Sequence, residues 1–446
     1  MHTLILAAAL LAPASVIDVR AHGAVGDGVA HDTAAIQAAI DACAAGGGGR
    51  VVFPPGRYRA GTIALRSRVV LQIEAGATLL GTDDLDAYRA AVPPADQPEA
   101  KFGERWHRAL IVGEGLEDVG IVGDGVIDGG KVRDPRGEEG LRGPHTILLV
   151  GCRGVDVRDV TIRDSGNYAI LVERTDDLRI RDVTIEGGWD GVHFRGGPKS
   201  PCRRLSVVGC TLSTGDDAIA GRYAEDVTVR DCAIDSSCNG VRIIGPVRRL
   251  TIQDGLFAGP GRHPHESSGR TNMLAGILLQ PGAWDPTEGE LDEVLVSDVT
   301  MRHVAAPVQI TARGANRIGT VVVERVSATG VYRAALSVEN AAATPVGRVV
   351  VRGVTLEYAG GGTAEQARER WRGPSIDPRP LPAWGLFAHG VEELVLQDVR
   401  LDRERDDARP AIQCEQVARL RKTDLRTPAG DAAESVVLHE VGRIDP

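Results

Sequence analysis

Four polar residues stand just ahead of short apolar runs in the middle of the chain. Asp190 lies in Trp189-Asp190-Gly191-Val192-His193-Phe194, Asp216 and Asp217 open Asp216-Asp217-Ala218-Ile219-Ala220-Gly221, and Asn239 lies in Cys238-Asn239-Gly240-Val241-Arg242-Ile243. Aligned on Val192, Ile219 and Val241, the residues Asp190, Asp217 and Asn239 fall in one column, with Asp216 beside Asp217. His193, Ala220 and Arg242 form a second column three residues later. Carboxylates this close raise one another's pKa. Such a cluster suits acid/base chemistry, in which one carboxyl keeps a proton near neutral pH while another stays charged. Hydrolysis of a glycosidic bond uses such a pair. An aspartate can also simply cap a turn. That role fits the recurrent Asp159, Asp182, Asp231, Asp298 and Asp398, whereas Asp190, Asp216 and Asp217 read as the catalytic set.

The neighbours of these carboxylates each admit two readings. Trp189 either stacks on a sugar ring or packs a corner. His193 either bonds a sugar hydroxyl or tunes Asp190, or it is simply a polar wall residue. Arg242 is either a cation for a substrate carboxylate or a solvated face residue. Arg195, Lys199 and Arg222 are weaker cation candidates that read mainly as solvated faces. Trp284 and the polar loop His263-Pro-His-Glu-Ser-Ser-Gly-Arg-Thr-Asn272 could close one end of a groove, which would favour cleavage from chain ends. The two histidines of that loop lack a matched third ligand, and no CxxC pair exists, so no metal site is expected. The seven cysteines read as core thiols rather than a disulfide framework.

The elements that must position these residues announce themselves as a repeat. Val155-Asp-Val-Arg-Asp-Val-Thr-Ile162 returns as Leu178-Arg-Ile-Arg-Asp-Val-Thr-Ile185, Leu205-Ser-Val-Val-Gly-Cys-Thr-Leu212 and Val227-Thr-Val-Arg-Asp-Cys-Ala-Ile234. It recurs as Val294-Leu-Val-Ser-Asp-Val-Thr-Met301, Val349-Val-Val-Arg-Gly-Val-Thr-Leu356 and Leu394-Val-Leu-Gln-Asp-Val-Arg-Leu401. Apolar residues hold positions 1, 3, 6 and 8, and Asp or Gly fills the gap where the alternation skips a beat. Two short strands joined by a tight corner produce that pattern. The first four units are spaced 23, 27 and 22 residues apart. A further strand recurs around Ile170, Val192, Ile219, Val241 and Ile277. Periods in the low twenties with several strands per repeat predict one solenoid coil per repeat. The fold class is therefore all-β, a single-stranded right-handed parallel β-helix, with Cys210 and Cys232 in the core slot of Val160 and Val183.

An open solenoid end needs a cap. Residues 32–45 supply a helix: Asp32 can be its N-cap, Ile36, Ile40 and Cys43 share an apolar face, and Gly46 to Gly49 stop it. The strand Val51-Val-Phe53 and the turn Pro54-Pro-Gly56 follow. Non-repeating stretches at 82–108, 131–145, 255–275 and 358–383 are loops that could wall a binding groove. The first residues, with an apolar run from Leu4 to Ala12, resemble a secretory signal peptide. The expected organisation is a signal segment over 1–16 and one β-helix catalytic domain over 17–446, with a secreted or periplasmic location. Net charge is −10 over 446 residues, which argues against a nucleic-acid or anionic-membrane binder. Aromatics are only 4% while Gly numbers 55, as expected of many short strands and tight corners.

These residues also resemble the family 28 glycoside hydrolases, the polygalacturonase and rhamnogalacturonan hydrolase group within the pectin-lyase-like β-helices. The resemblance rests on His22-Gly-Ala-Val-Gly-Asp-Gly28, Asp32-Thr33, Gly47-Gly-Gly-Arg-Val-Val-Phe-Pro-Pro-Gly56 and Gly123-Asp-Gly-Val-Ile-Asp-Gly129. The family's Gly-Asp-Asp motif is intact at Gly215-Asp216-Asp217, and its Asn-Thr-Asp-Gly motif survives as Gly188-Trp-Asp-Gly191. The resemblance implies inverting hydrolysis without metal or organic cofactor, Asp216 acting as general acid and Asp190 with Asp217 activating water. The sequence departs from the family at Cys238-Asn239-Gly240, where the family has Gly-His-Gly, and it lacks an Arg-Ile-Lys motif, the comparable strand reading Pro307-Val-Gln-Ile-Thr311. Those losses leave Trp189, His193, Arg195, Asn239 and Arg242 as candidates to bind substrate. The expected substrate is an acidic or deoxy-sugar polysaccharide or oligosaccharide, handled by a monomer. Two other readings stay open: a lyase or epimerase on the same fold, with the aspartates holding calcium and Arg242 as base, and a non-catalytic glycan-binding β-helix.

Overall fold

The computed structural model describes residues 15–94, 103–428 and 435–445. Most of the signal-like segment, residues 1–14, lies outside them. Ser15–Asp18, the first described residues, pair in parallel with Gly49–Phe53. The described strands form one continuous parallel ladder in which each strand pairs with its equivalent in the coils before and after it. This is a parallel β-helix, as the repeat predicts.

The skipped beat in each repeat is a backbone corner in the left-handed region. Asp159 (φ 67), Asp182 (φ 54), Gly209 (φ 68), Asp231 (φ 54) and Asp298 (φ 56) all adopt it. A Cβ is disfavoured there, and Gly, Asn and Asp tolerate it best. The corner separates Arg153–Arg158 from Thr161–Arg163 and recurs between the equivalent strands of later coils. Inward residues of every strand fill one long core, in which Cys210 and Cys232 are buried like Val160 and Val183.

Helix α1, Thr33–Ala45, closes one end of that core with Ile36, Ala39, Ile40 and Cys43. Asp32 stands at its start but does not cap it. Its carboxylate instead accepts hydrogen bonds from the backbone of Val25 (2.7 Å) and Gly26 (3.1 Å), tying the preceding loop to the cap.

The third strand of each coil carries the aspartate columns. Ile170–Glu173, Val192–Arg195, Ile219–Arg222, Asn239–Ile243 and Ala275–Leu279 stack in that order. The coil that follows Asn239–Ile243 is therefore Ala275–Leu279. The strand expected to be comparable to the missing Arg-Ile-Lys, at 307–311, lies one coil further on, in Val308–Ile318. The interruptions at 131–144 and 259–274 are loops over this face.

Candidate active site

The ladder delivers the columns read from the sequence. Gly191 N–H donates to Asp217 O and Ala218 N–H to Asn239 O, which stacks Asp190, Asp217 and Asn239 on successive coils. His193 pairs with Ala220, and Ala220 with Arg242. Asp216 N–H donates to Trp189 O, so the first aspartate of the pair lies over Trp189.

None of these side chains is open to solvent. Asp190, Asp216 and Asp217 are 4%, 8% and 5% exposed. The cause is a residue absent from the sequence reading, Arg142, carried by the loop at 131–144. Its Nη1 donates to Asp190 Oδ1 at 3.3 Å and its Nη2 to Asp216 Oδ2 at 2.6 Å. The guanidinium lies 3.9 Å from the Trp189 ring centroid. Trp189 therefore serves as a platform for an arginine here. Glu139 accepts from Nε and Nη2 of the same guanidinium. The second loop braces the first: Glu266 pairs with Lys131 and Arg133, and Ser267 Oγ donates to Glu139. It also brings His265 Nε2 to 3.5 Å from Asp216 Oδ2. His265, like Arg142, was not singled out by its spacing, because loop residues obey no period and the contact spans 49 residues of sequence.

Each carboxylate ends in a different environment. Burial and the neighbouring Asp216 charge push Asp190 well above the usual carboxylate range, against the pull of Arg142. Burial also raises Asp217, helped by Asp216 and opposed by Arg242, while Asn239 Nδ2 donates to its Oδ1 at 2.7 Å. Burial acts on Asp216 too, but there the hydrogen bond from His265 and the charge of Arg142 win and hold it well below that range. In this closed arrangement Asp216 has the lowest proton affinity of the trio. A general acid needs the opposite state, so the acid role expected of Asp216 requires Arg142 to leave it.

His193 Nδ1 lies 2.9 Å from Asp190 Oδ2, and its ring stacks on Tyr168 at 4.6 Å and 11°. Burial, with the charges of Arg222 and Arg142, keeps His193 neutral. Its Nε2 has no hydrogen-bond partner among the described residues, and it is buried. Of the two readings of His193, tuning Asp190 is the one the geometry supports. Arg195, Arg222 and Arg242 are 4%, 1% and 4% exposed, which corrects the expectation of solvated faces. The strand places them on its outer side, but the loops cover them. Arg195 Nη2 donates to Tyr168 Oη at 2.8 Å and its guanidinium lies 4.9 Å from the Trp106 ring. Arg222 pairs with Asp285, and Arg242 meets Asp217 at 3.4 Å with the Trp284 ring 5.0 Å away. Lys199 is exposed on the turn after Val192–Arg195 and takes no part.

Two groups, Glu139–Asp216–His265 and Asp216–Asp217–Cys238, bring their ligand atoms within 4.8 Å of one another. In both, guanidinium groups already sit on the carboxylates: Arg142 on Glu139 and Asp216, and Arg242 on Asp217. Fixed cations at those positions repel a divalent ion.

The groove is closed beyond the aspartates as well. On the N-terminal side Trp106 packs edge-on against Tyr168. On the C-terminal side residues 371–379 cross the same face, where Trp371 Nε1 donates to Glu339 at 2.8 Å and Arg313 donates to Pro374 O at 2.7 Å.

Comparison with known proteins places this geometry in context. The chain is 28% identical over 256 residues to the exo-poly-α-D-galacturonosidase of Dickeya chrysanthemi, covering 46% of this chain and 41% of that protein. It is 33% identical over 181 residues to a mannuronan C5-epimerase of Azotobacter vinelandii, covering 39% of this chain and 17% of that protein. It thus spans less than half the length of either relative. The family 28 exopolygalacturonase of Yersinia enterocolitica superposes with a TM-score of 0.57 at 16% identity, over 96% of this chain and 78% of that one, a likeness of fold. Residues 16–242, which carry all three aspartates, match the family model described as rhamnogalacturonase A/epimerase, pectate lyase-like, and the chain belongs to that family of pectin-lyase-like β-helices.

Proposed function

We propose that this protein is an inverting glycoside hydrolase acting on a pectin-like or related acidic or deoxy-sugar glycan. The observation that carries the reading is the trio Asp190, Asp216 and Asp217, three buried carboxylates on adjacent coils with opposed proton affinities. Their titrations are linked. The charge on Asp216 is one of the causes that push Asp190 and Asp217 up. When Asp216 takes a proton, that repulsion goes and the other two can ionise. The loaded state then has the division of labour that hydrolysis requires: Asp216 protonates the leaving oxygen, and Asp190 with Asp217 draws a proton from the attacking water. The neutral His193 orients Asp190 from its Nδ1 side. Arg242, with Arg195 and Asn239 nearby on the same face, supplies charge and hydrogen bonds for an acidic sugar. No metal or organic cofactor enters this scheme.

The strap at 371–379 and the Trp106 wall favour removal of units from a chain end over cleavage inside a long polymer. The Dickeya chrysanthemi relative is named as an exo-acting enzyme, which agrees. We assign the protein a secreted or periplasmic location, where such polymers are met.

A lyase or epimerase reading draws on one cluster. Arg195, held below the usual guanidinium range by burial and by Arg222, donates to Tyr168 beside His193. Those groups could handle a proton on a uronate ring. One experiment separates the readings. The protein is incubated with galacturonan, rhamnogalacturonan and alginate, and reducing ends, ultraviolet absorbance and product size are followed together, with Asp216→Asn alongside. Saturated small products that fall about 10²–10⁴-fold in the variant are expected. Unsaturated ends, or epimerised polymer without new ends, would replace the hydrolase reading with the second.

A further inference from the structure

Resting on the hydrolase reading, we propose that Arg142 is a specificity-determining residue: a carboxylate on the substrate captures its guanidinium, and only that exchange frees Asp216 to act as the acid.

The argument begins with what surrounds the two groups. Arg142 is 7% exposed, and every nitrogen of its guanidinium is engaged: Nε and Nη2 with Glu139, Nη1 with Asn167 and Asp190, Nη2 with Asp216. Asp216 is faced by Arg142 and Glu139 from one loop, His265 from the other, Asp190 on the coil before, Cys238 on the coil after, and Asp217 beside it. The guanidinium sits on two of the three carboxylates at once, in the space that a glycosidic oxygen and its water must occupy. No sugar can reach the trio until residues 131–144 lift.

The energy for lifting must come from the ligand. A neutral sugar offers hydroxyl groups, which are poor exchange for two charge-assisted bonds. A uronate offers a planar carboxylate that matches the guanidinium fork. Once it is bound, Glu139, the uronate and Asp216 would all face one cation in a dry site. That like-charge crowding is relieved when Asp216 takes a proton. The exchange therefore loads the acid at the moment an acidic sugar arrives. Discrimination by this device acts on turnover as well as on binding.

The test uses trigalacturonate and its carboxyl-reduced, neutral counterpart as paired probes. The wild-type protein is expected to cleave the acidic probe about 10²-fold faster in kcat/KM than the neutral one. In Arg142→Gln the ratio of kcat/KM on the acidic probe to that on the neutral probe is expected to collapse from about 10²-fold to within about threefold of one. The alkaline limb of its rate profile moves to higher pH, because Asp216, relieved of the Arg142 charge, holds its proton longer. Arg142→Lys, which keeps the charge but not the fork, falls between the two and guards against a folding defect. Equal losses on both probes with an unmoved alkaline limb would overturn the assignment and leave Arg142 a structural clasp. If the wild type cleaves neither probe, the hydrolase reading fails. Galacturonate titrated by calorimetry then decides the recognition step: weakening of about 30-fold in Arg142→Gln supports Arg142 as the carboxylate reader, and equal affinity overturns it.

Discussion

Asp217 shows how much of this site is decided by single contacts. Two partners on the next coil hold it: the amide of Asn239 and the guanidinium of Arg242, at 2.7 and 3.4 Å. Burial raises its pKa and Arg242 moderates that rise. Removing Arg242 therefore moves Asp217 further up, and a residue that must be ionised to activate water will ionise later as pH increases. Arg242→Met is expected to shift the acid limb of kcat/KM to higher pH and leave the alkaline limb in place. The alkaline limb separates it from Arg142→Gln, which moves that limb. Rate profiles of the two variants side by side would check the assignment, and a moved alkaline limb in Arg242→Met would refute it.

At the scale of the element, the unit is a strand, a left-handed corner and a second strand. The corners stack, and so do the charges next to them. Asp177 accepts from Arg204 Nε at 2.5 Å and from Arg153 at 3.2 Å, bonds that link three successive coils. The hydrogen bond from Arg204 brings the Asp177 pKa down to about 2 from 3.8. A depressed carboxylate stabilises the fold above its unfolded value and stops doing so as pH falls to its folded value. The contribution is thus present at neutral pH and lost between 3.8 and about 2. The pair is partly exposed, so salt screens it and the effect is small. Asp177→Asn is expected to lower Tm by about a degree at neutral pH and low salt. At pH 2 the variant and the wild type should melt together. A constant difference across that range would show that the loss is steric.

Across the whole molecule, one core runs the length of the solenoid, and six of the cysteines belong to it, while Cys238 lies outside it beside the aspartates. Cys43, Cys152, Cys202, Cys210, Cys232, Cys238 and Cys414 are all buried free thiols. Burial pushes Cys202 up to about 12, which keeps it inert as a nucleophile. Thiol titration is expected to find fewer than one reactive group in the native protein and seven after denaturation, with or without prior reduction. Five or fewer after denaturation without reductant would reveal a disulfide. The fold needs none, because each coil is held by backbone ladders and by apolar stacking on both neighbours.

The sequence by itself determined the architecture. A local rule, apolar at positions 1, 3, 6 and 8 with Asp or Gly in the gap, states which side chains point inward and where the chain turns a corner. In a solenoid the contact partner is always the same position one period away. That is why the column Asp190, Asp217, Asn239 and the column His193, Ala220, Arg242 are legible in the sequence. Tertiary structure alone decided what covers those columns. Arg142, His265, Glu139 and the strap at 371–379 lie in loops without a period, and their contacts with the trio and its groove follow from how each loop folds back. The same coverage turned Arg195, Arg222 and Arg242 from outward-facing residues into buried ones. It also lowered the proton affinity of Asp216, because a carboxylate's proton affinity depends on its nearest charges, and no repeat places Arg142 beside it.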